Sequence, residues 1–172
     1  MVSGEIEIAI SEMSSPVGQL IVASTSKGLC RIAFGRDPEP GLYTWFEENF
    51  PTAVPIKSRS ANRVITDALK EYFAGKRKKF DFKLDLIAEG FQRKALLALA
   101  RVQYGRTVSY GELAAEAGNP RAARAAGTAC ARNPIAIVIP CHRVIAGDGS
   151  LGGYGGGEDH KRFLLKLEGV SI

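Results

Sequence analysis

Apolar positions change their period near the middle of the chain. In the first half they form short runs and alternations, so residues 5–12 and 19–24 read as two strands. Between them lies Ser14-Ser15-Pro16-Val17-Gly18, a turn-rich connector that predicts a hairpin. Residues 28–34 predict a third strand, and residues 35–41, with Pro38 and Pro40, a loop. Tyr43, Phe46 and Phe50 fall near helical spacing and predict a helix over residues 42–50. A second helix is expected over residues 59–73, where Val64, Ile65, Leu69 and Tyr72 can share a face and Gly75 acts as the stop. Phe80, Phe82, Leu84 and Leu86 alternate with polar residues, the period of a strand.

From about residue 88 the pattern turns helical, which places a domain boundary between 87 and 88. Phe91, Ala95, Ala98 and Val102 make one apolar face of a helix over 91–102, widened by Leu96 and Leu99. Ser109 is an N-cap candidate with Glu112 in the first turn, so residues 110–117 predict a short helix. Gly118-Asn119-Pro120 is a turn, and residues 121–132 a second helix. On spacing alone, ordinary helical packing explains such a pair more readily than a nucleic-acid motif does. Apart from Arg121, Arg124 and Arg132, the second helix carries only small side chains, so its backbone can approach either a nucleic-acid groove or another helix closely. Residues 135–139 read as a short buried strand that Pro140 ends. The Gly-rich stretch 146–157 is irregular and lacks the Gly-Lys-Ser/Thr of a phosphate loop. Phe163, Leu164 and Leu167 give a terminal amphipathic helix ending at Gly169, with His160 exposed near its start.

Composition is that of an ordinary globular chain of 172 residues. The net charge of +5 is unevenly placed: residues 86–172 hold 11 Lys/Arg against 7 Asp/Glu, whereas residues 1–85 hold 12 against 11. The basic surplus therefore belongs to the second half, which suits an acidic partner. Lys76 to Lys79 are four consecutive basic residues, read as a solvated loop. No stretch approaches the roughly 20 apolar residues of a membrane span, and the N-terminus lacks a basic region followed by an apolar one, so a cytoplasmic protein without membrane association is expected. Three cysteines, at 30, 130 and 141, do not make a disulfide framework. Cys30 and Cys130 read as small buried hydrophobes, with a bridge between them left open.

The candidate chemistry sits at Ile139-Pro140-Cys141-His142-Arg143-Val144, where a thiol and an imidazole adjoin. A free thiol, with pKa about 8.5, is only slightly ionised at neutral pH and needs activation. Two histidines and three scattered cysteines assemble no closed zinc site. A cysteine hydrolase drawing on the distant His160 remains an alternative on residue types alone.

Pro140-Cys141-His142-Arg143-Val144 is preceded by Ser109-Tyr110-Gly111-Glu112-Leu113-Ala114 and Asn133-Pro134. It is followed by Gly153-Tyr154-Gly155-Gly156-Gly157 and Leu165-Lys166-Leu167-Glu168-Gly169. Together these closely resemble the O6-alkylguanine-DNA alkyltransferase family across residues 91–169, and Ser15-Pro16-Val17-Gly18 and Tyr72-Phe73-Ala74-Gly75 resemble it more loosely. Ala95-Leu96 and Gln103 depart from the Val-Trp and proline that relatives often carry.

The resemblance implies an α/β (α+β) protein, with a ribonuclease-H-like α/β domain over 1–87 and a winged helix-turn-helix DNA-binding and alkyl-transfer domain over 88–172. It implies stoichiometric, irreversible repair: the alkyl group of O6-alkylguanine, and of O4-alkylthymine, passes to Cys141, with no cofactor and no metal. In catalysis, His142 and Glu168 would activate Cys141, Asn133 would brace its turn, and Tyr110 would donate to guanine N3. The carbonyls of Cys141 and Val144 would accept the guanine amino group, with Gly155 and Gly156 as pocket wall. DNA contacts would come from Arg124 in the vacated stack and from Arg121, Ala122, Ala123, Asn119 and Gln92. Ala125 and Ala126 would add to a helix slim enough for the minor groove. A flipped-out nucleotide and a monomeric protein on double-stranded DNA complete the implied picture.

Overall fold

Strand β1 (Glu7–Ser15) and strand β2 (Gly18–Thr25) pair antiparallel, with Ser15 opposite Gly18 across Pro16 and Val17. The hairpin is thus the one the connector predicts. Strand β3 (Gly28–Phe34) extends the meander. The computed structural model describes residues 5–37 and 39–172, so Pro38 of the expected loop lies outside the described residues.

Helix α1 (Pro40–Asn49) begins earlier than its aromatics suggest. Pro40 occupies the start of the helix, where a missing N–H is harmless, and the Glu39 carboxylate accepts from the Leu42 amide. Residues 40 and 41 are therefore helix rather than loop. Strand β4 (Val54–Lys57), too short to show in the apolar period, adds parallel to β1 and gives the order β3-β2-β1-β4. Ile8, Ile10, Ile21, Cys30, Leu42 and Phe46 form a core between this sheet and α1.

Helix α2 (Arg63–Phe73) starts four residues later than expected, because Ser60 and Asn62 form the turn before it. The Asn62 side chain is buried and donates to the carbonyls of Ala9 and Val22, tying the turn to two strands. Ile65, Leu69 and Tyr72 face inward, but Val64 is 72% exposed and does not share their face. The strand expected over residues 80–86 is also absent. Only Leu84 bridges to Leu29, through a close approach at Gly28, where a Cβ would lie 2.3 Å from the Lys83 carbonyl oxygen. Phe80 and Phe82 instead stack against each other and Phe80 against Tyr72, with centroids 5.7 and 5.6 Å apart, so their alternation reflects ring packing.

Two compact units divide the chain at residues 87 and 88. In the second, helix α3 (Gly90–Leu99) buries Ala95, Leu96, Ala98 and Leu99. The short strand β5 (Val108–Ser109) leads into α4 (Tyr110–Glu116), and α5 (Ala123–Ala131) follows the turn at Gly118. Ala95, Ala117 and Ala129 close the contact among these three helices. A 3-10 turn over Cys141–Arg143 runs into strand β6 (Val144–Ile145), which pairs parallel with β5, and α6 (Glu158–Leu167) closes the unit.

The predicted strand over residues 135–139 is a tight turn. Ile139 N–H donates to the Ile135 carbonyl, and Ile137 takes φ +74°. A β-branched residue in that region carries strain of about 1–3 kcal/mol, which persists only where its surroundings enforce it. Ile135, Ile137 and Ile139 are all buried, so the apolar run reports burial and not strand pairing.

Candidate active site

Ser109 caps α4 through a capping box: its hydroxyl accepts from the Glu112 amide, and the Glu112 carboxylate accepts from the Ser109 amide. This fixes Tyr110 at the first helical position. Because Val108 pairs with Val144 and Ser109 with Ile145, the β5/β6 ladder brings Tyr110 to the strand that leaves the Cys141 turn. On the other side, Asn133 spans the strained turn, donating to the Ile139 carbonyl at 2.8 Å and accepting from the Ile135 amide at 3.0 Å. Asn133 thus ties the Ile135 amide to the Ile139 carbonyl.

Cys141 is 7% exposed and borders a cavity of about 390 Å³, within the range of small-molecule sites, about 300–1,000 Å³. With Cys141, its lining comprises Tyr110 of α4, Gly127, Cys130 and Ala131 of α5, and Gly153, Tyr154 and Gly155 of the loop before α6. Gly156 is not among the lining residues. Gly152 has φ +71°, and a Cβ there would lie 2.7 Å from the Tyr110 hydroxyl, so only glycine lets the loop approach the ring. Burial raises the Cys141 thiol above its ordinary pKa, while the Asn133 side chain and the Lys161 charge pull the other way. Burial likewise raises the Tyr110 phenol, which keeps it a hydrogen-bond donor at neutral pH.

Behind the thiol lies a buried charge cluster. His142 Nε2 is 2.8 Å from Glu168 Oε1. Arg143 grips the same carboxylate with two bonds of 2.9 Å, from Nε to Oε2 and from Nη2 to Oε1. The Gly105 amide adds a bond to Oε2 at 3.2 Å, and Arg143 Nη1 donates to the Val102 carbonyl. Burial by itself would raise Glu168, but the hydrogen bonds from His142 and Arg143, together with the Arg143 charge, outweigh it and hold the group at about 2. His142 is shifted down, with burial outweighing Glu168. Arg143 already supplies the counter-charge, so the imidazole can stay neutral. An ionised carboxylate can only accept, which assigns the imidazole proton to Nε2 and leaves Nδ1 with its lone pair. Nδ1 is buried and has no protein hydrogen-bond partner among the described residues.

The apolar period misses what else α6 carries. Lys161, Leu164, Leu165 and Glu168 form its buried side, and Lys161 is 0% exposed. Lys161 Nζ donates to the Val144 carbonyl at 2.6 Å and to the Gly153 carbonyl at 3.2 Å, joining the strand after Cys141 to the cavity loop. Val144 O and Cys141 O thus both already accept one bond, from Lys161 and from the Val144 amide. His160 is half-buried in α6 rather than exposed. The buried Leu164 and Leu165, three and four residues after Lys161, are the signal that could have exposed this face.

Arg121 and Arg124 are exposed at the start of α5, Ala122 and Ala123 half-buried and Ala125 exposed. Ala126 is fully buried, so the small residues of α5 serve both the fold and an open surface. Asn119 is exposed and accepts from the Arg121 amide, while Gln92 donates to the Arg132 carbonyl at the end of α5. Cys30, in the other unit, is 0% exposed and its thiol is pushed up to about 12 by burial, so it is inert. All three thiols are free.

Two family models match the chain. Residues 90–170 match the DNA-binding domain of 6-O-methylguanine DNA methyltransferase, and residues 8–86 match its ribonuclease-like domain. The methylated-DNA--protein-cysteine methyltransferase of Mycobacterium tuberculosis is 54% identical over 157 residues, covering 91% of this chain and 89% of its own. The protein of that name from Methanosarcina acetivorans is 43% identical over 159 residues, covering 90% and 94%. A crystal structure of Mycobacterium tuberculosis OGT in complex with DNA superposes with a TM-score of 0.80 at 38% identity, covering 94% of this chain and 92% of that one.

Proposed function

Because the chain belongs to the 6-O-methylguanine DNA methyltransferase family, we propose that Cys141 is the acceptor to which it transfers the alkyl group of O6-alkylguanine in DNA. One observation carries this choice: Cys141 alone combines a place on the cavity wall with His142, Glu168 and Arg143 packed behind it. Cys30 is sealed in the other unit, and Cys130 has no such cluster.

His142 Nδ1 takes the thiol proton, through a water, as Glu168 orients the ring and Arg143 fixes Glu168. The resulting thiolate attacks the alkyl carbon in line. The C–O6 bond breaks with its electron pair going to the guanine oxygen, and Tyr110 donates to guanine N3 so that the base leaves nearly neutral. In this reading the Cys141 and Val144 carbonyls accept from the guanine amino group with their second lone pairs, and the Gly155 amide donates to O6. Water does not displace a thioether, so each molecule reacts once. O4-alkylthymine, with the same ether linkage, is a second substrate.

A stacked base cannot reach a thiol inside this cavity, so the nucleotide is flipped out. The exposed start of α5 supports entry into a minor groove about 6 Å wide, with Arg124 filling the gap and Arg121 and Asn119 nearby. Ala122 and Ala123 form the slim edge; Gln92 serves by holding the end of α5. We assign the ribonuclease-like fold to residues 1–87 and DNA binding to 88–172, in a monomer. Among the described residues no helix is long and apolar enough to cross a membrane; a cytoplasmic site of action is part of the proposal.

The test is intact mass after incubation with duplex DNA bearing O6-methylguanine. One methyl increment, mapped to Cys141 and saturating at one per molecule, is expected; repeated turnover, or transfer elsewhere, refutes the assignment. Arg124→Ala should slow repair in duplex much more than reaction with the free base, and equal losses would sink the flipping role.

A further inference from the structure

The cavity holds a thiol that the proposed reaction does not use. Cys130, on α5, lines it together with Cys141, from the wall formed by Gly127 and Ala131. Two residues with nucleophilic side chains thus line the space that receives the alkyl group.

From this shared wall we infer that Cys130 is a second nucleophile of the pocket, which captures transferred alkyl groups that carry a leaving group on their second carbon. The inference rests on Cys141 being the acceptor. With a 2-haloethyl lesion, transfer leaves Cys141 bearing S–CH2–CH2–halogen. The Cys141 sulfur then displaces halide internally, giving a three-membered cyclic sulfonium and a halide ion. The Cys130 sulfur attacks one ring carbon and forms a new C–S bond. The ring C–S bond breaks with its electron pair returning to Cys141, and the Cys130 proton passes to water. The product is a two-carbon bridge between the two sulfurs. No oxidant, metal or further reactant enters.

The electrostatics favour this second step over hydrolysis. Burial pushes the free Cys130 thiol up to about 12, with the Cys141 charge adding and the Lys161 charge subtracting. Alkylation removes the Cys141 negative charge, and the sulfonium puts a positive one in its place, while Lys161 stays. Cys130 therefore ionises more readily at the moment the electrophile forms in the same cavity.

The experiment uses the full chain and a duplex carrying O6-(2-chloroethyl)guanine, read by intact mass and by tryptic mapping. Arg124, Arg132 and Arg143 place the two thiols on separate peptides, residues 125–132 and 133–143. The expected result is an ethylene bridge joining these peptides, no free thiol at either position, and an unmodified Cys30. In Cys130→Ser the bridge should be lost and a hydroxyethyl group appear on Cys141 alone. Hydroxyethyl-Cys141 as the main product of the unchanged protein, or a bridge from Cys141 to DNA, overturns the inference while leaving Cys141 as acceptor. Absence of any transfer to Cys141 overturns the acceptor assignment itself.

Discussion

Replacing Glu168 with Gln removes the charge that His142 and Arg143 share while nearly keeping the shape of the side chain. The cost can be worked two ways. Breaking one side of a buried ion pair typically costs about 3–5 kcal/mol, and here the guanidinium of Arg143 keeps one acceptor at most, the amide oxygen, and faces an NH2 group at the other position. Independently, Glu168 falls from 4.5 to about 2 on folding, which by linkage is worth on the order of 3 kcal/mol at neutral pH. A depressed carboxylate stabilises fully above its unfolded value and loses that contribution as pH falls through its folded one. The gap between the two proteins should therefore be about 3 kcal/mol at neutral pH and shrink by on the order of 1 kcal/mol per unit below 4.5. Trp45, the single tryptophan, lies in the other unit, so hydrogen exchange of peptides from residues 88–172 in urea is the suitable readout. Methyl transfer should slow as well, since an imidazole without its carboxylate is a weaker base. A gap under about 1 kcal/mol, or one that does not change between pH 7 and pH 3.5, refutes the reasoning.

Asn133→Ala removes both side-chain bonds across the Ile137 turn and takes the partner of the buried Ile135 amide, while the Ile139 carbonyl still accepts from the Cys141 amide, at a cost of about 1–3 kcal/mol in chemical denaturation. Its methyl transfer should fall more than its duplex affinity does; equal losses would argue against a role at the Cys141 turn. Lys161→Met takes away a charge that lowers the Cys141 thiol, so the pH dependence of Cys141 modification by iodoacetamide should move to higher pH, with Lys161→Arg restoring it in part. An unmoved profile in Lys161→Met contradicts the electrostatic role. Single-turnover repair should hold as pH falls to 6.5 and decline only below it, because burial keeps His142 neutral past its ordinary value. A decline centred above 6.5 would show that a different base is at work.

By itself the sequence determined the features whose physics is local. The Pro16-Val17 hairpin follows from a turn between alternating runs, and the Ser109 and Glu112 capping box from two side chains three residues apart. The Cys141-His142 pair is visible by adjacency, and the surrounding motifs sufficed to place the chain in its family. Only the tertiary structure decided what depends on distant partners. Glu168 lies 26 residues from His142 and 25 from Arg143, and the bidentate clamp that fixes its charge leaves no trace in any period. Residues 135–139 and 80–86 look like strands because they are apolar or alternating, yet burial in a turn and ring stacking produce the same patterns. Lys161 reads as a surface residue until the helix face of Leu164 and Leu165 turns it inward. Cys130 reads as a small hydrophobe, and only the packing of α5 sets it in the lining of the cavity that Cys141 borders. Hydrophobic pattern records how much surface must leave water; which polar atoms meet inside is set by contacts between elements far apart in the chain.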